Sequence, residues 1–285
     1  MTNIEFADRP VAADPTPAAI AIGPWIEQSI AASSNSARLQ HQLDAISSDP
    51  LLIRFLHRFV LFNDALAARV PFVAGLIHLT PNVFLDPEGG VEFCRQANGR
   101  VAAYVAEAAS DEYHLIPGKN SIHQHLSQIF LDGVLAYLAV ERESFDRSNP
   151  LPPVLAGILA EAREKFLDDR RADTIFRALG FHVGLEFFAH QEFNLVDAYL
   201  RARHAGLVAV LEQDAGMGPA YAWLGLHTVV EIGHYRAGMQ ALNAALHYYR
   251  DPHDVPRMAQ EIKNGFTAFI DLQARYYAAI LREAD

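Results

Sequence analysis

The chain has 285 residues, 51% of them hydrophobic and 20% charged, with a net charge of -11 from 23 basic and 34 acidic residues. That composition excludes a disordered chain, and the acidic balance excludes a basic stripe able to track phosphates, so no nucleic-acid partner is expected. The one cysteine, Cys94, excludes an internal disulfide framework and a thiolate-built metal site.

Met1 to Phe6 show neither the basic start nor the apolar centre of a signal peptide. No apolar stretch long enough to span a bilayer is free of charge or turn residues. The expectation is a soluble, cytoplasmic protein with no membrane partner.

Residues 1–45 are rich in Ala, Pro and Ser (ADPTPAA, AASSNSA) and read as an irregular arm, with room for a short helix around Trp25 to Ile30. Residues 46–285 read as one helical domain. Its first helix runs from about Pro50 to Leu79, with Pro71 expected to kink or divide it. After the loop TPNVFLDPEGG a second helix spans about Val91 to Tyr113. IPGKN breaks the chain, and Ser121 is a good N-cap for a helix reaching about Glu143. SNPLPP precedes helical pattern from Val154 to Leu167, and a long stretch follows from Ala172 to Gln213. AGMGP ends it, the next helix covers about Ala220 to Tyr249, and DPHDVP introduces the last. No alternating strand pattern, hairpin or repeat is present, so the fold class is all-α, roughly seven helices in one bundle-like domain.

The strongest chemical feature is WLGLHTVVEIGHYRAGM. His227, Glu231 and His234 fall at i, i+4 and i+7, which at about 3.6 residues per turn lines them along one face with Leu224 and Gly238. Two imidazoles and a carboxylate pointing inward suit a divalent ion such as iron, manganese or zinc. In LGFHVGLEFFAHQEF, Glu186 sits among Leu185, Phe187 and Phe188, where an unpaired charge is costly. Either it stays neutral or a cation pairs with it, and His182 and His190 lie one turn to either side. In SDEYHLIPGKNSIHQHLSQIFLDGVLAYL, Glu112 is followed by His114, His123 and His125. His123 shares the apolar face of Leu126, Ile129, Phe130 and Val134, whereas His125 projects away from it. Glu107 stands one turn before Asp111 and is a weaker candidate, Arg236 a weak one for a substrate carboxylate, and His57 and His78 are isolated. No phosphate-cradling glycine loop or nucleophile elbow is present.

In order, these residues are Glu112, His123, Glu186, then His227, Glu231 and His234. That order resembles the haem-oxygenase-like diiron oxidases and oxygenases, whose fold relatives are the thiaminase-like and pyrroloquinoline-quinone-synthase-like proteins. The likeness covers residue 50 to the end and is most specific in His-x3-acid-x2-His. It implies a seven-helix fold, two Fe(II) ions and O₂ as co-substrate. By position, Glu112 and His123 would serve one iron, Glu186 would bridge, and His227, Glu231 and His234 would serve the other. Two departures stand out: the last acid is usually Asp in that family and is Glu231 here, and His114 or His125 could replace His123. The resemblance implies oxidation of a small-molecule substrate, an amine or amino acid being favoured, and a homodimer is compatible with it. Phe181, Phe187, Phe188 and Trp223 are candidate cavity walls. The rival expectations are a cofactor-free enzyme of the thiaminase-like or quinone-synthase-like branch, in which these acids and histidines act as general acids and bases, and a non-catalytic helical ligand-binding protein.

Overall fold

The computed structural model describes residues 17–80, 82–85, 94–113, 123–213 and 220–283, except for the side chains of residues 17, 19, 20, 94, 95, 111–113, 123 and 124. All regular structure among them is helical: α1 (Pro17–Ala32), α2 (Asn35–Asp44), α3 (Asp49–Ala67), α4 (Val70–Leu79), α5 (Cys94–Tyr113), α6 (His123–Tyr137), α7 (Arg142–Ser148), α8 (Pro153–Glu164), α9 (Ala172–Arg203), α10 (Ala205–Leu211), α11 (Ala222–Tyr248) and α12 (Val255–Ala279). Their only β-type pairing is an isolated antiparallel bridge between Phe84 and Tyr249. The all-α class therefore holds.

Several boundaries differ from expectation. The supposed irregular arm is helical from Pro17, because Ile22 and Ile26 on α1 and Leu39 and Leu43 on α2 form i, i+4 apolar pairs that enter the core. Asn35 ties α2 to α12, its Nδ2 donating to the Ile270 carbonyl and to Gln273 Oε1, both at 3.0 Å. Pro71 does divide the first stretch, sitting in the first turn of α4. The helix expected to reach Glu143 stops at Tyr137. A new one starts at Arg142, where the Glu141 carboxylate accepts from the backbone amides of Glu143 and Ser144. The expected cap Ser121 lies outside the described residues. The stretch to Gln213 breaks at His204, which leaves helical geometry with φ -132° and ψ 42°.

α9 is the axis of the fold. Every residue from Ala178 to Glu186 is buried, so this helix is covered all round, unlike an amphipathic surface helix. α11 and α12 pack along it; α5 packs on α11 and α4, and α1, α2 and α8 pack on α12. The approach of α9 to α12 is set by two glycines facing opposite backbones: a Cβ on Gly180 would collide with the Ile262 carbonyl, and one on Gly265 with that of Arg177. Gly180→Ala is expected to cost about 2–3 kcal/mol by forcing α9 and α12 apart. Gly157→Ala, on exposed α8 with open space at the Cβ position, should instead gain about 0.5–1 kcal/mol. Chemical denaturation of both variants checks the contrast.

By length and composition the stretch Asp49–Leu79 is apolar enough to cross a membrane, yet 61% of that window is buried inside the fold. Its polar residues serve tertiary contacts. Arg58 Nη1 donates to the carbonyls of Ile280 and Arg282 at 2.7 Å each, satisfying backbone oxygens at the end of α12.

A second buried polar knot joins α9 and α12. Glu192 Oε2 accepts from the Tyr277 hydroxyl and, at 3.2 Å, from Gln273 Nε2. Burial, outweighing these bonds and one to Asn63, pushes its carboxyl from the usual 4.5 up to about 7. The folded chain thus holds a proton that the unfolded chain has lost. Glu192 accordingly contributes stability that is present below 4.5 and lost as pH rises through about 7, on the order of 3 kcal/mol in full. Glu192→Gln keeps an acceptor for both donors, so its melting temperature should exceed that of the natural protein at pH 8. Melts at pH 5 and pH 8 should show the gap closing at the lower pH.

Candidate metal centre

His227, Glu231 and His234 occupy one stripe of α11, at 5%, 3% and 5% exposure, and the stripe faces α9. From α9, Glu186 and His182 meet them, one helical turn apart and equally buried. Glu186, Glu231 and His234 each present a ligand atom within 4.8 Å of the other two.

The donor atoms form a string. His182 Nδ1 is 3.1 Å from Glu186 Oε1, Glu186 Oε2 is 3.5 Å from His234 Nδ1, and His234 Nδ1 is 3.3 Å from Glu231 Oε2. Glu231 Oε1 is then 3.7 Å from His227 Nε2. Ligands about 2.1 Å from a common ion stand roughly 3.0–3.5 Å apart, so the contacts of His234 with Glu186 and Glu231 have the spacing of a coordination sphere, with His227 slightly beyond it. The contact between His182 and Glu186 is close but not directed as a hydrogen bond. Both ring nitrogens of His182 and Glu186 Oε1 are left without a hydrogen-bond partner among the described residues. Buried, unanswered carboxylate and imidazole lone pairs suit a cation.

His227 is held for such a role. Its Nδ1 donates to the Trp223 carbonyl at 2.6 Å. A carbonyl can only accept, so Nδ1 carries a proton, and Nε2 is the ring nitrogen that faces Glu231. Metal-bound histidines commonly donate their second nitrogen in this way. Phe193 stacks on the ring at 4.3 Å, and Trp223 meets it at 5.6 Å.

Charge is the main problem of this site. Burial pushes Glu231 well above the usual carboxylate range, and the neighbouring Glu186 charge adds to this. Glu186 is lowered, because the histidines on either side outweigh its burial. Burial pulls His234 down, but its bonds to Glu186 and Glu231 prevail and push it up to about 12. Two carboxylates in one dry site are tolerated only with protons or a cation between them, and a divalent ion can replace the protons on Glu231 and His234.

A cavity of about 30 Å³ adjoins the cluster, lined by Glu186, His227, Glu231 and His234 and also by Asn63 and Asp64 of α3. That is room for a small ion or water. Of the four aromatic walls expected, Trp223 lines it, and Phe193 joins unexpectedly. Phe188 instead packs on Phe266 and Phe269, Phe187 on Tyr235, and Phe181 on Phe269. Asp64 escaped the sequence reading. It is an acid within the apolar run FVLFNDALA, the same signal that marked Glu186. Its carboxylate accepts from Ser127 Oγ at 2.9 Å and Gln128 Nε2 at 3.2 Å, which aligns α3 with α6.

Other candidates fall away from the cluster or outside what is described. His190 turns outward to Asn194, and Glu107, His125 and Arg236 are exposed. The side chains of Glu112 and His123 lie outside the described residues, as does His114. The structure thus brings together Glu186, His227, Glu231 and His234, with His182 added. No family model, curated protein or solved structure matches this chain.

Glu231→Gln removes one ionisable group from the buried cluster while keeping its shape. The metal-free variant should melt no lower than the natural protein at pH 7, and its affinity for Fe(II) or Mn(II) should fall about tenfold or more. Melting curves and equilibrium metal titration read the two effects separately.

Proposed function

We propose that this chain is a metal-dependent oxidoreductase, a non-haem iron oxygenase or oxidase that oxidises a small metabolite. The observation that carries the reading is the buried group Glu186, Glu231 and His234, whose ligand atoms lie within 4.8 Å of one another. Carboxylates with imidazole are the donor set of O₂-activating iron proteins, and the order of these residues resembles that of the haem-oxygenase-like diiron family. Ferrous iron held there would supply the electrons for O₂ activation.

The chain's own residues do the rest. Glu186 and Glu231 would hold the metal from facing helices with His234, while His227 presents a preset Nε2. Phe193 and Trp223 pack on that imidazole and supply apolar wall to the cavity. Asp64 also lines the cavity as a further carboxylate. We infer a diiron centre, with Glu112 and His123 serving the first iron, and a small amine or amino acid as substrate. A cytoplasmic, homodimeric protein remains part of this proposal.

Chelator-treated protein reconstituted anaerobically with ferrous iron and then exposed to air tests the reading. Two irons per chain and oxygen consumption with amines or amino acids are expected. Both should drop at least tenfold in Glu186→Ala and His234→Ala. Unchanged iron content and oxygen uptake in both variants would sink the proposal.

One observation favours a second reading. Burial pushes the Glu231 carboxyl up and the bonds of His234 to Glu186 and Glu231 push its imidazole up, beside a Glu186 that the histidines lower, a set of acids and a base suited to metal-free acid–base catalysis. Full turnover in excess chelator would select it.

A further inference from the structure

Three carboxylates from three different helices line one small cavity: Asp64 of α3, Glu186 of α9 and Glu231 of α11. No lysine or arginine lines it among the described residues, and the histidines there are His227 and His234. Ligation requires neutral imidazoles, so with the acids ionised the walls carry three negative charges. They surround about 30 Å³, where only a small ion or a water fits. Glu186 is 2% exposed, and its Oε1 has no hydrogen-bond partner among the described residues. An acidic lining that includes a buried, unanswered carboxylate oxygen calls for a cation. An ion filling so small a space meets the walls that bound it, and Asp64 is one of them.

Asp64 stands in the apolar run of α3, where its neighbours Phe62, Ala65 and Leu66 are buried. Its carboxylate is held on both oxygens: Ser127 Oγ donates to Oδ1 at 2.9 Å and Gln128 Nε2 to Oδ2 at 3.2 Å. Gln128 Oε1 accepts in turn from Arg142 Nη2 at 3.0 Å, and Arg142 Nη1 donates to Asp132 Oδ1 at 2.6 Å. Ser127 and Gln128 are neutral donors, so they orient the acid without cancelling its charge. One orienting bond on each oxygen, anchored in a further layer of polar contacts, is how ligating carboxylates are held. We propose that Asp64 is a metal ligand, so that the ion bound by Glu186, Glu231 and His234 also draws in α3. The ion then joins three helices, and Ser127 and Gln128 make the placement of α6 bear on its affinity. A third carboxylate shifts the donor set further towards hard ions such as Mn(II). This role rests on the metal-centre reading, but not on oxygen chemistry there.

The test is equilibrium binding of Mn(II) to the chelator-treated full chain, with free ion read by electron paramagnetic resonance. Melting curves with and without Mn(II) accompany it. Asp64→Asn keeps the shape and removes the charge, so affinity should fall about tenfold or more, and most of the metal-linked rise in melting temperature should go with it. Glu164→Gln, at an exposed acid of α8, should change neither. A lower metal-free melting temperature in Asp64→Asn, with Mn(II) affinity and the metal-linked rise intact, marks a structural role and overturns the assignment. Should Asp64→Asn not fold, Ser127→Ala decides: losing one orienting bond should weaken Mn(II) about tenfold, and unchanged affinity overturns the assignment. Mn(II) held through Asp64, with no oxygen uptake by the iron-loaded protein, keeps the ligand and removes the oxygenase reading. Iron content, Mn(II) affinity and oxygen uptake all unchanged in Asp64→Asn do the reverse. No divalent ion bound by the natural protein overturns both.

Discussion

Glu186 and Glu231 face each other across two helices with water largely excluded, and much of the structure serves to make that tolerable. Like charges this close in a dry site cannot both stand alone. Three surrounding histidines, two from α11 and one from α9, supply compensating groups around them among the described residues. Placing five such residues in register requires α9 and α11 to be both long and tightly packed. α9 meets that need by being buried on every side, with α12 brought close at Gly180 and Gly265 to brace it from behind. Stability is surrendered at the centre and recovered in the apolar packing around it, the usual relation between a reactive site and its scaffold.

The fold treats its other buried polar groups differently, and the differences are informative. Arg58 is spent on the free carbonyls at the end of α12. Glu192 accepts hydrogen bonds from Tyr277 and Gln273, and burial raises its carboxyl to about 7. In both cases the chain answers its own polar atoms, so the role is structural. The Arg69 guanidinium, both ring nitrogens of His182 and Glu186 Oε1 are not answered by hydrogen bonds in this way among the described residues.

Much of this was visible in one dimension. Apolar periodicity broken by Pro and Gly clusters marked the helices, because a helix interior excludes both signals for local steric reasons. The i, i+4, i+7 spacing of His227, Glu231 and His234 is likewise a local property, since one helix suffices to align them. Glu186 announced itself through its apolar neighbours, and its burial followed. The arm was less legible: Ala and Pro suggested irregularity, but the paired Ile22 and Ile26, and Leu39 and Leu43, are held in helices by the core that receives them.

What the sequence by itself determined is the all-helical class, the α11 stripe and the improbability of an uncompensated Glu186, all consequences of short-range geometry and the cost of burying charge. Tertiary structure alone decided which residues meet. It brought α9 against α11 so that Glu186 reaches His234, turned His190 outward while His182 faced inward, and set Asp64 in the wall of the same cavity. It also left the Arg69 guanidinium without a hydrogen-bond partner among the described residues, which no pattern along the chain announces. Helix pairing depends on the shape of whole faces, including glycines that matter only through the backbone opposite. A linear pattern names the donors on each helix; the distance between helices turns them into a site.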